Sequence, residues 1–218
     1  MTRTKSRADP ILLTFEPMVD SQCARLVLAH YGLRYRERDY MLGWGSLVAL
    51  VRFGTARLPV LAGGGITISS PRPMAEHFEK NVPEERKLIP APGALRYQVE
   101  ADWALYNGKM GGWTAQFAYF HLLPERRLMT RIFRKPVPPI QRALTGPLYP
   151  LLRLVVKAVV GIGPAQAGQA LAQIRSTFDS TDARIADGRR YLNGDRATLG
   201  DIALAAAAAP LLCRAAIR

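Results

Sequence analysis

The sequence is short of acidic residues and cysteines, and it has no long uncharged apolar run. It has 17 Asp and Glu residues against 30 Lys and Arg residues, and its only cysteines are Cys23 and Cys213. Two cysteines this far apart do not indicate a disulfide scaffold, so we expect a protein of the reducing cytoplasm. The longest apolar stretch, 148–162, is interrupted by Arg153 and Lys157, which argues against a membrane span. The basic start of the chain lacks the apolar core of an export signal.

The few acidic residues are unevenly distributed. None lies between positions 126 and 178, a stretch with nine basic residues: Arg126, Arg127, Arg131, Arg134, Lys135, Arg142, Arg153, Lys157 and Arg175. Such a stretch attracts anions, whether a small ligand, a membrane surface or nucleic acid, or it is simply a solvated basic surface. A nucleic-acid-binding protein would need an element that enters a groove or side chains that stack on bases. We find none and expect no nucleic-acid partner, while contact with a membrane surface stays open.

Hydrophobic patterning in the first 80 residues predicts the order strand, helix, strand, helix, strand, strand, helix. Strands are predicted at 11–15, at 35–40, after Pro59 and at 66–68, and helices from Asp20 or Ser21 to Tyr31, at 42–53 and at 71–80. The first crossover requires a parallel strand pair, and the glycine turn at 63–65 requires an antiparallel one. The product is a small mixed sheet with helices on its faces.

The second half of the chain is predicted to be all helical. Residues 81–95 are rich in proline and charged residues, which predicts a linker. No strand pattern follows this segment. The helical pattern has a glycine-rich interruption at 108–112, and later helices are predicted to end at Gly161 and Gly188. We therefore expect one domain at 10–80, a linker at 81–95 and a helical domain at 96–218.

Leu58-Pro59 leads the third predicted strand. A proline there cannot donate to a strand ladder, so it belongs at an edge or at a strand start. Its peptide bond is either that of an ordinary turn proline or the rare cis form. A cis bond would turn the N–H and C=O of Leu58 outward, where they could pair with an extended peptide.

A capping motif precedes an alanine-rich helix near the end of the chain. Thr198 and Asp201 form a capping box variant, in which the hydroxyl accepts an early helix N–H and the carboxylate reaches back. The helix that follows, 201–209, is almost entirely alanine and leucine. This composition predicts a helix buried on all sides.

Taken together, these motifs resemble the glutathione S-transferase superfamily, and in particular its bacterial cytosolic members. The matching segments are Leu58-Pro59-Val60-Leu61, residues 70–78, and Tyr191-Leu192-Asn193-Gly194-Asp195 with the capped helix start at 198–203. The resemblance covers roughly residues 12–212. It implies a thioredoxin-like domain that binds glutathione, followed by a helical-bundle domain that helps to bind the electrophile. It also implies a homodimer.

Carried over residue by residue, the resemblance implies a glutathione site at Leu58, Pro59, Ser69 and Ser70. The residue before the cis-proline would pair with the cysteinyl part of glutathione through its main chain. Ser69 or Ser70 would hold the γ-glutamyl end at the third helix, although Pro71 stands where the family has a serine.

The residue that activates the thiol is harder to assign. The family's Tyr, Ser or Cys falls near Met18, and neither Met18, Val19 nor Asp20 donates to a thiolate in its usual form. Ser21 is the nearest hydroxyl and is our catalytic candidate. Cys23 lies within the helix pattern and reads as a small buried core residue.

Other residues give weaker signals. The three histidines show no metal spacing, and we predict no metal site. An aromatic series could line an electrophile pocket, although such a stripe at helical spacing is more often core: Trp103, Tyr106, Trp113, Phe117, Tyr119 and Phe120.

Two functions remain open at this point. The first is a glutathione S-transferase-like enzyme that conjugates or reduces small hydrophobic electrophiles. The second is a non-catalytic binding or scaffolding protein on the same fold. Family members usually continue beyond the alanine helix, so the end at 213–218 reads as truncated or altered.

Overall fold

The structure is a computed structural model that describes residues 9–16, 18–41, 43–134 and 139–212. Leu42, Lys135, Cys213 and the basic N-terminal residues discussed above lie outside these ranges. The strands are β1 Ile11–Thr14, β2 Arg36–Asp39, β3 Val60–Gly63 and β4 Ile66–Ser69. The helices are α1 Val19–His30, α2 Trp44–Phe53, α3 Pro71–Phe78, α4 Ala94–Trp103, α5 Gly111–Leu122, α6 Arg126–Arg134, α7 Pro139–Thr145, α8 Tyr149–Val160, α9 Pro164–Ile185 and α10 Leu199–Leu212.

The four strands form one mixed sheet in the order β2-β1-β3-β4. β1 pairs in parallel with β2 across the α1 crossover, and β3 pairs antiparallel with both β1 and β4. The predicted βαβ and ββα units are therefore confirmed. Charged side chains of β2 (Arg36, Glu37 and Arg38) are exposed at the sheet edge, where charge discourages pairing with another chain.

One face of the sheet belongs to a core that the two halves of the chain share. Leu12 and Leu61 of the sheet pack with Val27 of α1, Met74 of α3 and Leu199 of α10. Fully buried apolar side chains contribute most of the stabilisation of such a core, about 1.5–3 kcal/mol each. The orientation of the helical half relative to the sheet follows from this packing.

The segment predicted as a linker is attached to both halves. Leu88 and Ile89 are buried in the shared core. The N–H of Ile89 donates to Glu79 Oε1 at 2.7 Å, and the carbonyl of Leu88 accepts from the N–H of Leu199 at 2.8 Å. Residues 81–93 thus connect the halves through short turns that are held by hydrogen bonds.

The start of α1 differs from the sequence prediction. The helix begins at Val19, and its N-cap residue Met18 makes no capping hydrogen bond from its side chain. Asp20 and Ser21, the predicted caps, lie inside the first turn, so that prediction is wrong. The predicted end is confirmed: Gly32 has φ +66°, and the N–H of Leu33 reaches the carbonyl of Leu28 at 2.9 Å.

The glycine-rich stretch predicted as an interruption is a continuous but widened helix. Residues Ala104–Met110 form a π-helical segment that joins α4 directly to α5. Gly111, the residue after this segment, lies beside Val19 at the start of α1: a β-carbon on it would come within 3.4 Å of Val19 Cγ1, an ordinary contact distance. Widened helical turns of this kind are frequent at functional sites.

The cap of α10 is confirmed in part. The carboxylate of Asp201 reaches back to the N–H of Thr198 at 2.8 Å and also accepts the N–H of Leu192 at 2.9 Å. The Thr198 hydroxyl, however, donates to this carboxylate at 2.7 Å, a different role from the predicted acceptance of a helix N–H. The helix is buried on most sides, but Ala205 is exposed, so the prediction of burial on all sides is wrong.

No single helix of the described residues is both long and apolar enough to cross a membrane. Among the described helices, α8 and α9 reach the length and hydropathy of a membrane span only when they are taken together, and the chain bends by 56° between them.

Candidate functional site

A cleft of about 470 Å³ opens beside the starts of three helices, α1, α2 and α3. Its walls come from the first half of the chain: Phe15, Met18, Asp20, Gly43, Ser46, Ala56, Arg57, Leu58 and Ser70. Two of the predicted glutathione residues, Leu58 and Ser70, line it. Pro59 and Ser69 are adjacent in sequence to these two, and Ser21 does not line the cleft.

Leu58 offers the cleft its main chain. The Leu58–Pro59 peptide bond is cis, which confirms one of the two forms considered from the sequence. The Leu58 side chain is buried on the second face of the sheet with Ala49 and Val60. Its backbone N–H and C=O have no hydrogen-bond partner in the described part of the chain. An extended peptide in the cleft can therefore satisfy both groups.

Ser70 is held in an unusual backbone conformation. Its φ of +73° and ψ of 146° lie in a region that residues other than glycine rarely adopt. Its N–H donates to the carbonyl of Pro59 at 3.0 Å, which ties the start of α3 to the strand that Leu58 leads. The hydroxyl makes no capping bond to α3. Strain of this kind in a cleft wall is typical of binding sites.

The N-terminus of α3 is poor in hydrogen-bond donors. Pro71 and Pro73 lack an N–H, so Arg72 supplies the free amide of the first turn. Ser69 ends β4 opposite Val60 and is half-buried. The first turn of α3 therefore offers the cleft few backbone amides for an anion.

The N-terminus of α1 also faces the cleft, through Met18 and Asp20. Free amides of the first helical turn favour an anion such as a thiolate. Asp20 opposes this effect when it is ionised. Burial raises the pKa of the Asp20 carboxyl, and a hydrogen bond with Asn107 of the π-helical segment lowers it in part.

Ser21 is fully buried, and its Oγ accepts the backbone N–H of Phe15 at 3.3 Å. This contact holds the end of β1 against α1. The hydroxyl has no exposed surface on the cleft, so its role at a thiolate stays a prediction.

Cys23 is a core thiol in this structure. It is fully buried, and its Sγ donates to Asn107 Oδ1 at 3.3 Å. Burial, and secondarily the charge of Asp20, raise the pKa of the Cys23 thiol. The thiol therefore stays protonated and unreactive at neutral pH.

Sequence reasoning missed three polar groups of the cleft: Asp20, Ser46 and Arg57. Arg57 is exposed and forms no ion pair with any described residue, so it can receive a carboxylate. The sequence feature that could have indicated Arg57 is its position directly before Leu58-Pro59. The sequence indicates Asp20 as a helix cap and as a residue that cannot donate to a thiolate, and Ser46 carries no signal beyond its glycine-rich surroundings.

The aromatic series lies outside the cleft wall. Tyr106 and Tyr119 are buried in two different helical cores. Trp103 and Trp113 pack against the core that contains Tyr106. The histidines contact other protein groups: His30 the carbonyl of Arg86, His77 the ring of Phe78, and His121 the rings of Phe117 and Phe120. Phe15 is the aromatic ring that lines the cleft.

An acidic cluster of Glu16, Glu37 and Asp39 lies at one end of β1 and β2. Arg25 already supplies a cation to it, with Nη2 at 2.7 Å from both Glu16 Oε2 and Glu37 Oε1 and at 3.8 Å from Asp39 Oδ2. The Thr14 hydroxyl lies within hydrogen-bond distance of both Glu37 and Asp39. The contacts of Arg25 with this cluster anchor α1 to the sheet.

Solved structures with the same architecture identify the fold. A glutathione S-transferase from Sinorhizobium meliloti superposes with a TM-score of 0.64 over 97% of this chain and 82% of its own, at 19% identity. A glutathione S-transferase from Rhodospirillum rubrum gives 0.63 over 93% and 77%, at 20% identity. The chain has the glutathione S-transferase fold. The predicted thioredoxin-like first half and helical second half are thereby confirmed.

Within the same fold, FzlA from C. crescentus superposes with a TM-score of 0.60 over 94% of this chain and 78% of its own, at 18% identity. No family model and no curated protein matches the sequence. At these identities the similarity establishes the glutathione S-transferase fold, and the function has to be inferred from the cleft.

Proposed function

We propose that this protein binds glutathione in the cleft and uses the thiol to conjugate or reduce small apolar electrophiles, as a glutathione S-transferase-like enzyme. The observation that carries the proposal is the pair of unpartnered backbone groups of Leu58 on the cleft wall. A tripeptide in extended form can hydrogen-bond to both of them. Two solved neighbours bear the name glutathione S-transferase, which supports the same assignment.

Other residues that line the cleft have roles in this proposal. Arg57 would pair with a terminal carboxylate of the tripeptide, and the Ser70 hydroxyl would orient the γ-glutamyl end next to Ser69. Phe15 and Met18 form the apolar wall against which an electrophile can be held away from water. The first turn of α1 would favour the thiolate.

Glutathione binding is tested by isothermal titration at millimolar ligand. We expect saturable binding in the parent protein and about tenfold weaker binding after Arg57→Gln, because a charge-assisted hydrogen bond is lost. Arg52→Gln is the matched control, since Arg52 is exposed on α2 and does not line the cleft. Absence of binding in the parent protein would contradict the proposal.

A second candidate is a binding or scaffolding protein that has lost catalysis. It is favoured by the buried position of Ser21 and by the Asp20 carboxyl that lines the cleft in place of a hydroxyl. An anionic Asp20 would raise the pKa of a bound thiol, as its charge does for Cys23.

Aromatic-halide conjugation separates the two candidates. Turnover that falls sharply in Ser21→Ala would establish the enzyme and the role of Ser21. Glutathione binding without turnover would favour the second candidate. Under the first candidate Asp20→Asn should shift the pH midpoint of thiolate formation downward, because an opposing charge is removed; ultraviolet absorbance of the bound thiolate measures this shift.

Homodimerisation in the cytoplasm is part of the proposal. It is supported by the fold and by the exposed Tyr97 on α4, which is 79% accessible and can be covered by a second copy. Sedimentation velocity of the parent protein and of Tyr97→Glu tests it. We expect a dimer that is weakened in the variant, and cell fractionation tests the compartment.

A further inference from the structure

Helix α8 has an apolar face that no described residue covers. The α8 face consists of Leu151, Leu154, Val155 and Val159, with relative accessibilities of 58%, 65%, 40% and 74%. The opposite side of the helix, including Val156, is buried against α5 and α6. A soluble protein rarely exposes several large apolar side chains in one contiguous patch without a partner for it.

Basic residues flank the α8 face. Arg153 and Lys157 lie on α8 itself, one turn apart, between its buried and exposed sides. On the neighbouring helix α6, Arg126, Arg127 and Arg131 are exposed. Arg126 donates to the carbonyl of Gly146 at 3.2 Å, which places the start of α6 beside the start of α8. Arg153 and Lys157 therefore border the α8 face, and Arg126 adds positive charge near the start of α8.

The positive charge of this surface is uncompensated. None of these five residues forms an ion pair with any other described residue. The sequence contains no acidic residue from 126 to 178 that could neutralise them. An anionic partner is required if the charge is to be matched.

We propose that the α8 face docks on an anionic lipid surface. The leucines and valines would enter the boundary between headgroups and acyl chains, and Arg153 and Lys157 would reach back to the phosphates. Twelve residues make a helix of about 18 Å, shorter than the hydrocarbon core of about 30 Å, so α8 lies along the surface. This inference does not depend on the function proposed for the cleft.

A second copy of the chain fits this surface less well. In a two-fold symmetric contact the same patch meets itself, so Arg153 and Lys157 would approach their own equivalents. Like charges brought together at an interface oppose association. An anionic bilayer offers apolar depth and negative charge at once, which is the combination that the surface presents.

Co-sedimentation with vesicles tests the proposal. Phosphatidylcholine vesicles with and without phosphatidylglycerol are compared at low and high salt, using the full chain. We expect binding to the mixed vesicles that weakens with salt and is at least tenfold weaker on phosphatidylcholine alone. Equal binding to both vesicle types, or no binding to either, overturns the proposal.

Two double variants separate the apolar and charge contributions. Leu151→Gln with Leu154→Gln should weaken binding at least tenfold, with Leu50→Gln and Val51→Gln on α2 as the matched control of similar exposure. Arg153→Gln with Lys157→Gln should weaken binding about twentyfold, with Arg52→Gln and Lys80→Gln as its control. Equal losses in test and control variants would show non-specific attraction and contradict the proposal.

Sedimentation velocity without lipid completes the test. The leucine double variant should have the same oligomeric state as the parent protein. A dimer that dissociates in this variant would show that the α8 face is a contact between copies, and the lipid proposal would fail.

Discussion

Two groups of arginines in this protein are used differently. Arg25, Arg72 and Arg184 each pair with a carboxylate that is itself partly or wholly buried. Arg126, Arg131 and Arg153 on the α6–α8 surface pair with no described carboxylate. The first group joins elements of the fold to one another, and the second is available to a partner.

The difference teaches where the charge of a strongly basic chain resides. Part of the formal net charge of +13 is carried by basic residues that form no ion pair in the described part of the chain. Buried ion pairs are costly to break because a lone buried charge remains, whereas exposed unpaired charges contribute little to stability. Stability measurements should therefore separate the two groups.

The largest expected effect comes from the paired group, at Asp102. This residue is buried, accepts two hydrogen bonds from Arg184 at 2.5 and 3.0 Å, and accepts another from Asn193 at 2.8 Å. Asp102→Ala removes these three hydrogen bonds and leaves the Arg184 charge without its carboxylate, so it should lower the free energy of unfolding by about 3 kcal/mol. Urea unfolding measures it, with the exposed Asp179→Ala as control. Equal losses of stability in the two variants would show that the buried ion pair contributes no more to folding than an exposed carboxylate.

The next effect is expected at the cap of α10. Asp201→Ala removes three hydrogen bonds, two from Thr198 and one from the N–H of Leu192. We expect a loss of about 2 kcal/mol in urea unfolding, more than an ordinary helix cap contributes. Asp195→Ala, at an exposed site in the preceding turn, serves as the comparison. A loss no larger than this comparison would mean that core packing alone holds the helix.

A smaller effect, dependent on pH, is expected at the network around Arg25. Burial raises the pKa of Asp39 to about 7; the neighbouring carboxylates of Glu16 and Glu37 add to the rise, and the hydrogen bond with Thr14 opposes it. Between the unfolded pKa near 4 and about 7, the folded state holds the extra proton. The free energy of unfolding should therefore fall as pH rises through this window.

Asp39→Asn tests this sign. The parent protein should lose on the order of 1 kcal/mol more stability than the variant between pH 5 and pH 8, since the amide cannot ionise. Urea midpoints at the two pH values measure the loss. A parent protein that gains stability over this range, relative to the variant, would place the pKa of Asp39 below its ordinary value.

The smallest effect is expected on the unpaired group. Lys157→Gln should change the free energy of unfolding by less than about 0.5 kcal/mol, because the exposed ammonium has no partner to lose. The same variant combined with Arg153→Gln is expected to reduce vesicle binding strongly. A large loss of stability in Lys157→Gln alone would place this residue among the structural charges.

Several features of the fold and the site could be predicted from single residues. Gly32 stops α1, and Pro59 leads a strand, although the residue type alone left its peptide bond open between the cis and trans forms. Asp201 reaches back to cap α10. In each case a local constraint on the backbone allows few conformations, so the residue type alone indicates the structure.

The misses have a common physical origin. Ser21 was chosen for its hydroxyl, but the packing of β1 against α1 buries that group and pairs it with Phe15. Asp20 and Arg57 face the cleft because three helix starts converge there from distant parts of the sequence. The glycines at 108–112 indicate a break, but in the structure the helix continues through them, in a widened form over Ala104–Met110.

The sequence by itself determined the order of strands and helices, the sign and location of the surplus charge, and the residues at which the chain turns. These depend on neighbouring residues and on local backbone energetics. Only the tertiary structure decided which side chains face the cleft, which arginines have partners and which face of α8 is left uncovered. Those outcomes depend on contacts between residues far apart in the chain, and a local pattern carries no information about such distances.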